Sequence, residues 1–210
     1  MERKSSYREA RDIMGLNFIG REEISCIDKQ FPLTTPSILP EIPFSVETLK
    51  ESSEDYILIC GAENADPKHP LDIFFMRDFF GMNPDVSEPC FYNQDWYLSE
   101  EFVRTPLDMK WYLIKKHAIE STRSELPESI LKRNIRFPSA IVCAYTFFVY
   151  YFVRKEYLWY HDFVWCSDSD HNNDRIYVGK YNDVDNINKN GFSIHRHLSL
   201  RPCYGAINIK

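Results

Sequence analysis

The run AIVCAYTFFVYYFV, Ala140 to Val153, constrains this chain more than any other stretch. It holds fourteen residues without one charge, whereas a membrane-spanning helix needs about twenty. A strand usually ends within about ten residues. What remains is a helix that is apolar on every side, and such a helix has to be covered on every side. Pro138 suits a first helical turn, so length and spacing predict a buried helix over residues 137–153.

The material to cover it is present. With 210 residues, 44% of them hydrophobic and 15 Phe and 13 Tyr among them, the chain can bury the core of one domain, with or without an extension. A formal net charge of −6 excludes a global pull toward nucleic acid or acidic membranes. Lys180, Lys189, Arg196, Arg201 and Lys210 crowd the C-terminal part and read as a solvated strand face. The start, MERKSSYREARDIMG, lacks the apolar segment of a secretion signal. The expectation is a soluble, cytoplasmic protein without a membrane partner. Cysteines 26, 60, 90, 143, 166 and 203 form no C-x-x-C pair and read as reduced, small apolar residues.

Ser6-x-x-Glu9 is a capping-box pattern and Gly15 a stop, predicting a helix over 6–14. Pro32, Pro36, Pro40 and Pro43 then make Phe31–Phe44 an extended connection. A short helix opens at Ser45, and YILIC reads as a buried strand before Gly61. Pro70–Gly81 carries helix start and stop signals, and Met109–Ile119 alternates as a strand. After Glu156, short apolar pieces (FVWCS, RIYVGKY, GFSIHRHLSL, CYGAINI) alternate with Asp, Asn, Ser and Gly, the pattern of an antiparallel meander. The fold class is therefore α+β: a helical and proline-rich N-terminal half packed on a C-terminal antiparallel sheet. The boundaries expected are an extension over 1–54 and an α+β domain over 55–210.

Arg136, Phe137, Pro138 and Ser139 at the helix entry, followed by Trp165, Ser167, Arg201 and Pro202, resemble the closing half of the C-type-lectin-like fold. The branch is that of formylglycine-generating enzymes and bacterial ligand-display proteins. IPF at 42–44, YNQDWY at 92–97 and WYLI at 111–114 are also similar to segments of a family of uncharacterised bacterial proteins. The resemblance implies a last sheet whose loops face a ligand. Ile141, Val142 and Cys143 stand where the formylglycine branch has acidic and amide partners, so no catalytic residue carries over.

WCSDSDHNNDR spaces Asp168, Asp170, Asn172 and Asp174 two apart, matching the first oxygen slots of a calcium loop. Asn173 and Gly179 stand where an EF-hand has glycine and glutamate, so the alternative is a hairpin turn whose side chains bond their own backbone. Calcium is the one cofactor this stretch suggests. His195 and His197 lie on one strand face, roughly 7 Å apart; they would share zinc if Cys166, Cys203 or an aspartate approached. A Cys166–His195 dyad lacks an oxyanion hole. Asn93, Asp95 and Trp96 offer amide, carboxylate and flat aromatic surface for a sugar or peptide, or else a structural turn. Glu88, Asp95, Glu100 and Glu101 could supply an acid–base pair. With Trp165, His195, Arg196, His197 and Arg201, the Asn93–Trp96 block makes up the candidate ligand-binding set. The loops 168–173 and 182–190 are where binding is expected. The reading that follows is a non-enzymatic recognition protein for a protein or glycan ligand. The alternatives are a metal-dependent enzyme built on His-x-His, or a structural component of a phage or mobile element.

Overall fold

The computed structural model describes residues 3–181, 191–196 and 200–210. Its first helix, α1 (Tyr7–Met14), starts at the predicted capping box. Ser6 Oγ accepts from the Glu9 amide, and the Glu9 carboxylate accepts from the Ser6 amide. Strand β1 (Phe18–Ile19) and helix α2 (Arg21–Cys26) follow. The proline-rich stretch is extended and contributes β2 (Leu33–Thr34). Ser45 caps α3 (Val46–Ser52), which leads into β3 (Tyr56–Cys60) and β4 (Glu63–Asn64). Asp72 caps α4 (Ile73–Phe80), and Gly81, at φ 67°, ends it. Then come β5 (Trp111–Lys115), α5 (Pro127–Leu131) and α6 (Ala140–Arg154).

Helix α6 is the predicted apolar helix, and every residue from Ala140 to Tyr150 is buried. It starts later than predicted. Pro138 precedes the helix rather than filling its first turn, because Ser139 is extended and serves as the N-cap position. Lys155, in the left-handed conformation, closes the other end with its amide on Tyr151.

The layers around α6 are two sheets. The first runs β1-β3-β5, with β1 parallel and β5 antiparallel to β3. Its pairing crosses residue 54, since Phe18 and Ile19 lie beside Leu58 and Ile59. Tyr145 of α6 donates to the Cys60 carbonyl and Arg154 to that of Phe18. The other sheet is built from β6 (Phe163–Ser169), β7 (Arg175–Tyr181), β8 (Gly191–His195) and β9 (Tyr204–Gly205), in the order β8-β7-β6-β9. Phe147 of α6 meets Phe192 of β8 at 5.0 Å, and Phe148 stacks on Phe80 of α4 at 4.1 Å. A separate two-stranded ladder joins β2 and β4.

The meander expected at the C-terminal end holds for β6, β7 and β8 but not for β9, which lies parallel to β6. The chain leaves β8 at one edge of the sheet and returns at the other, so it enters β9 running in the direction of β6. Beyond β9, Ile209 bridges Ile114 and the Lys210 amide reaches the Leu113 carbonyl, tying this end of the chain to the first sheet.

The basic residues are not simply a solvated face. Lys180 is 4% exposed, with its ammonium 2.9 Å from Glu88 and 4.4 Å from the ring centre of Tyr157. Arg196 is ion-paired, Lys210 donates to Ser52, and Lys189 lies outside the described residues. The fold is mixed helix and sheet, and no helix among the described residues is long and apolar enough to cross a membrane.

Candidate functional site

Two segments distant in sequence are laid side by side by backbone bonding. The Phe192 amide donates to Cys90 and the Tyr92 amide to Phe192, so residues 90–92 run along β8. Gly191 makes the approach possible. Its φ is 146°, and a Cβ there would stand 2.5 Å from the Tyr92 nitrogen. Gln94 continues the match, accepting from the Ile194 amide at 3.3 Å and lying 3.1 Å from His195 Nδ1. Trp96 completes it by donating to the Ile194 carbonyl at 3.0 Å. Arg77 of α4 fixes the outer side through the Gln94 carbonyl and the Asp95 carboxylate. Asp95 and Asn93 are exposed.

The β6–β7 turn is the other wall. Asp170 is the centre of an Asx arrangement: its Oδ1 accepts from the amides of Asn172 and Asp174 at 2.9 and 2.8 Å. Asn173 takes the left-handed conformation, φ 65°, as an asparagine can. Asp168 points elsewhere and accepts from the Ala140 amide at 2.6 Å, at the start of α6. Burial raises its pKa despite that amide. The alternating Asp/Asn set is thus divided between two tasks, a helix start and a turn, with Asn172 exposed and Asp174 half-buried.

What converges on Asp170 is a different group. Its Oδ2 accepts from Arg196 Nη1, and the same Nη1 lies 3.5 Å from Glu100 Oε1. The Glu100 side chain, 4% exposed, also accepts from the His171 amide at 2.9 Å and lies 2.7 Å from His171 Nδ1. The Arg196 guanidinium sits 4.5 Å from the Trp96 ring centre, a cation–π distance. Burial pushes the Asp170 carboxyl up, but the amides of Asp174 and Asn172 and the Arg196 guanidinium outweigh it and hold the pKa below the usual carboxylate range.

A cleft of about 500 Å³ opens over this cluster, lined by Ser99, Glu100, Glu101, Ser169, Asp170, His171 and Asn173. Each lining side chain can donate or accept a hydrogen bond. Two buried carboxylates, an imidazole that is 64% exposed and three neutral polar groups can hold a hydrogen-bonding ligand or a cation.

Of the candidates from the sequence, the structure brings Trp96, Glu100, Asp170 and Arg196 together. It keeps Trp165 and His195 apart from them, in an aromatic cluster on the opposite sheet face from Cys166. There Trp165 meets Tyr177 at 5.1 Å, and His195 meets Tyr177 at 5.6 Å and Phe163 at 5.4 Å. Burial pushes the His195 pKa down to about 4, so the ring is neutral at neutral pH. Cys166 faces α6, with its sulfur 4.0 Å from that of Cys143. Arg201 is exposed, and His197 lies outside the described residues, as does the 182–190 loop. His171 is the partner that spacing did not single out; an imidazole inside an Asp/Asn turn was the available signal. No family model, no curated protein and no solved structure matches the chain.

Proposed function

We propose that this chain is a non-enzymatic recognition protein whose binding surface is the cleft between Ser99–Glu101 and the β6–β7 turn. The observation that carries this reading is the lining itself: an open volume of about 500 Å³ edged wholly by hydrogen-bonding side chains and rooted on a buried sheet. Polar loops on a rigid scaffold are where binding concentrates. The ligand is a glycan or polar peptide, which would hydrogen-bond to Glu101, Ser169 and Asn173. The resemblance of residues 136–202 to the C-type-lectin-like fold supports the same use of this sheet. The six cysteines, four of them buried, fit small apolar residues of a protein kept in a reducing compartment such as the cytoplasm.

Glycan and peptide arrays probed with the whole chain test the proposal. A defined ligand class is expected, with affinity falling about tenfold in Glu101→Arg, as for loss of a charge-assisted bond. Arrays without a reproducible hit, or a hit indifferent to Glu101→Arg and to Asn173→Ala, would overturn it.

A further inference from the structure

We propose that Glu100, Asp170 and His171 form a site for a divalent transition cation of the zinc or manganese class, at the seat now filled by Arg196 Nη1. The proposal rests on reading the cleft as a binding site and names what that cleft would hold.

One ligand atom from each of the three side chains lies within 4.8 Å of the others, and Glu100 and Asp170 are buried. Zinc or manganese would sit about 2.0–2.2 Å from such oxygens and nitrogens. Glu100 Oε1 and His171 Nδ1 stand at hydrogen-bond distance, 2.7 Å, and have to part slightly for both to reach one metal. Small side-chain rotations then have to bring the three ligand atoms to a common point.

The hydrogen bonds around the cluster sort its oxygens. Asp170 Oδ1 is held by two turn amides and Glu100 Oε2 by the His171 amide. Asp170 Oδ2 and Glu100 Oε1 are the atoms turned inward. Both face one cationic nitrogen, Arg196 Nη1. A positively charged group between two carboxylate oxygens marks the point where a cation is stable. The backbone amides already orient the two carboxylates, as outer partners orient metal ligands.

Arg196 is 24% exposed and its guanidinium lies 4.5 Å from the Trp96 ring centre; metal uptake requires that guanidinium to leave the two carboxylates. The imidazole binds as the neutral tautomer, with its proton on Nε2 and the Nδ1 lone pair on the metal. Ser99, Ser169 and Asn173 then edge an open side of the coordination sphere facing the cleft. The donor set, two carboxylates and one imidazole, suits zinc or manganese better than calcium, which prefers oxygen alone.

Calorimetric titration of the chelator-treated full chain with zinc chloride, and separately with manganese chloride, tests this. One saturable equivalent is expected. His171→Ala should weaken it by more than about tenfold, and Arg196→Met should tighten it, because the competing cation is gone. A merely structural cluster would not produce that gain. Coupling of the imidazole nitrogen in the manganese spin-echo spectrum should disappear in His171→Ala.

Absence of saturable binding, affinity unchanged in His171→Ala, or no tightening in Arg196→Met would each overturn the site. The His171 side chain is largely exposed, so that variant tests the site even if Glu100→Gln fails to fold. Array binding measured in chelator separates the two readings. A ligand bound there, with no metal uptake, removes only the metal; metal uptake without any array ligand removes only the recognition reading.

Discussion

The C-terminal sheet carries two histidines in opposite circumstances. His171, at the β6–β7 turn, keeps most of its side chain in solvent and meets a buried carboxylate. His195, one strand further on, is enclosed by Tyr177 and Phe163 and stays neutral. The charged turn and the aromatic face are both well packed, but they are stabilised by different physics. At the turn, each buried charge is matched by amides or an opposite charge. On the face, ring burial dominates, and it leaves the Trp165 indole nitrogen without a hydrogen-bond partner among the described residues. Chemistry is available at the first region and packing at the second.

Removing a ring is the harshest way to break this contrast. Tyr177 is 1% exposed and touches Phe163, Trp165, His195 and Tyr204. Tyr177→Ala should cost about 3–5 kcal/mol in urea unfolding; a loss under about 1 kcal/mol would mean that the face is loosely packed.

A titration sharpens the contrast further. The folded pKa of His195 is about 4, below the ordinary value of 6.5. The unfolded state therefore binds the proton first, so stability is present above pH 6.5 and is lost as pH falls toward 4. Between pH 7 and 5 the loss from this residue should be about 2 kcal/mol. His195→Phe, which keeps a ring in place, should flatten that part of the stability profile. An unchanged slope would show that His195 binds its proton as readily in the fold as in the unfolded chain.

The smallest effect belongs to the cleft wall. Glu101 is exposed, so Glu101→Arg should change stability by no more than about 0.5 kcal/mol, while still altering ligand binding. A large loss of stability would place Glu101 among the structural residues.

Much of the scaffold could be read from residue patterns. The apolar run gave α6, capping residues gave α1, α3 and α4, and alternating or β-branched segments gave β3 and β5. Strands β1, β2 and β4 were not legible, because two residues carry no period and their partners alone define them; β9 lies within the expected CYGAINI piece, but its parallel pairing to β6 was not legible. The site divides in the same way. Asp170, Trp96 and Arg196 stood out by type. The union of Glu100 with His171 spans 71 positions, and only the folded chain creates it. His-x-His drew attention to His195 by spacing, whereas burial makes that ring part of the packing.

The close crossing at Gly191 has a consequence for the cleft. Because segment 90–92 is seated directly on β8 there, Trp96 and Arg196 are carried by two main chains locked in step. Their stacking is thus inherited from backbone registry. Any side chain at position 191 would have to wedge those main chains apart and would strain the stacking of indole on guanidinium, from a position that lines no part of the cleft.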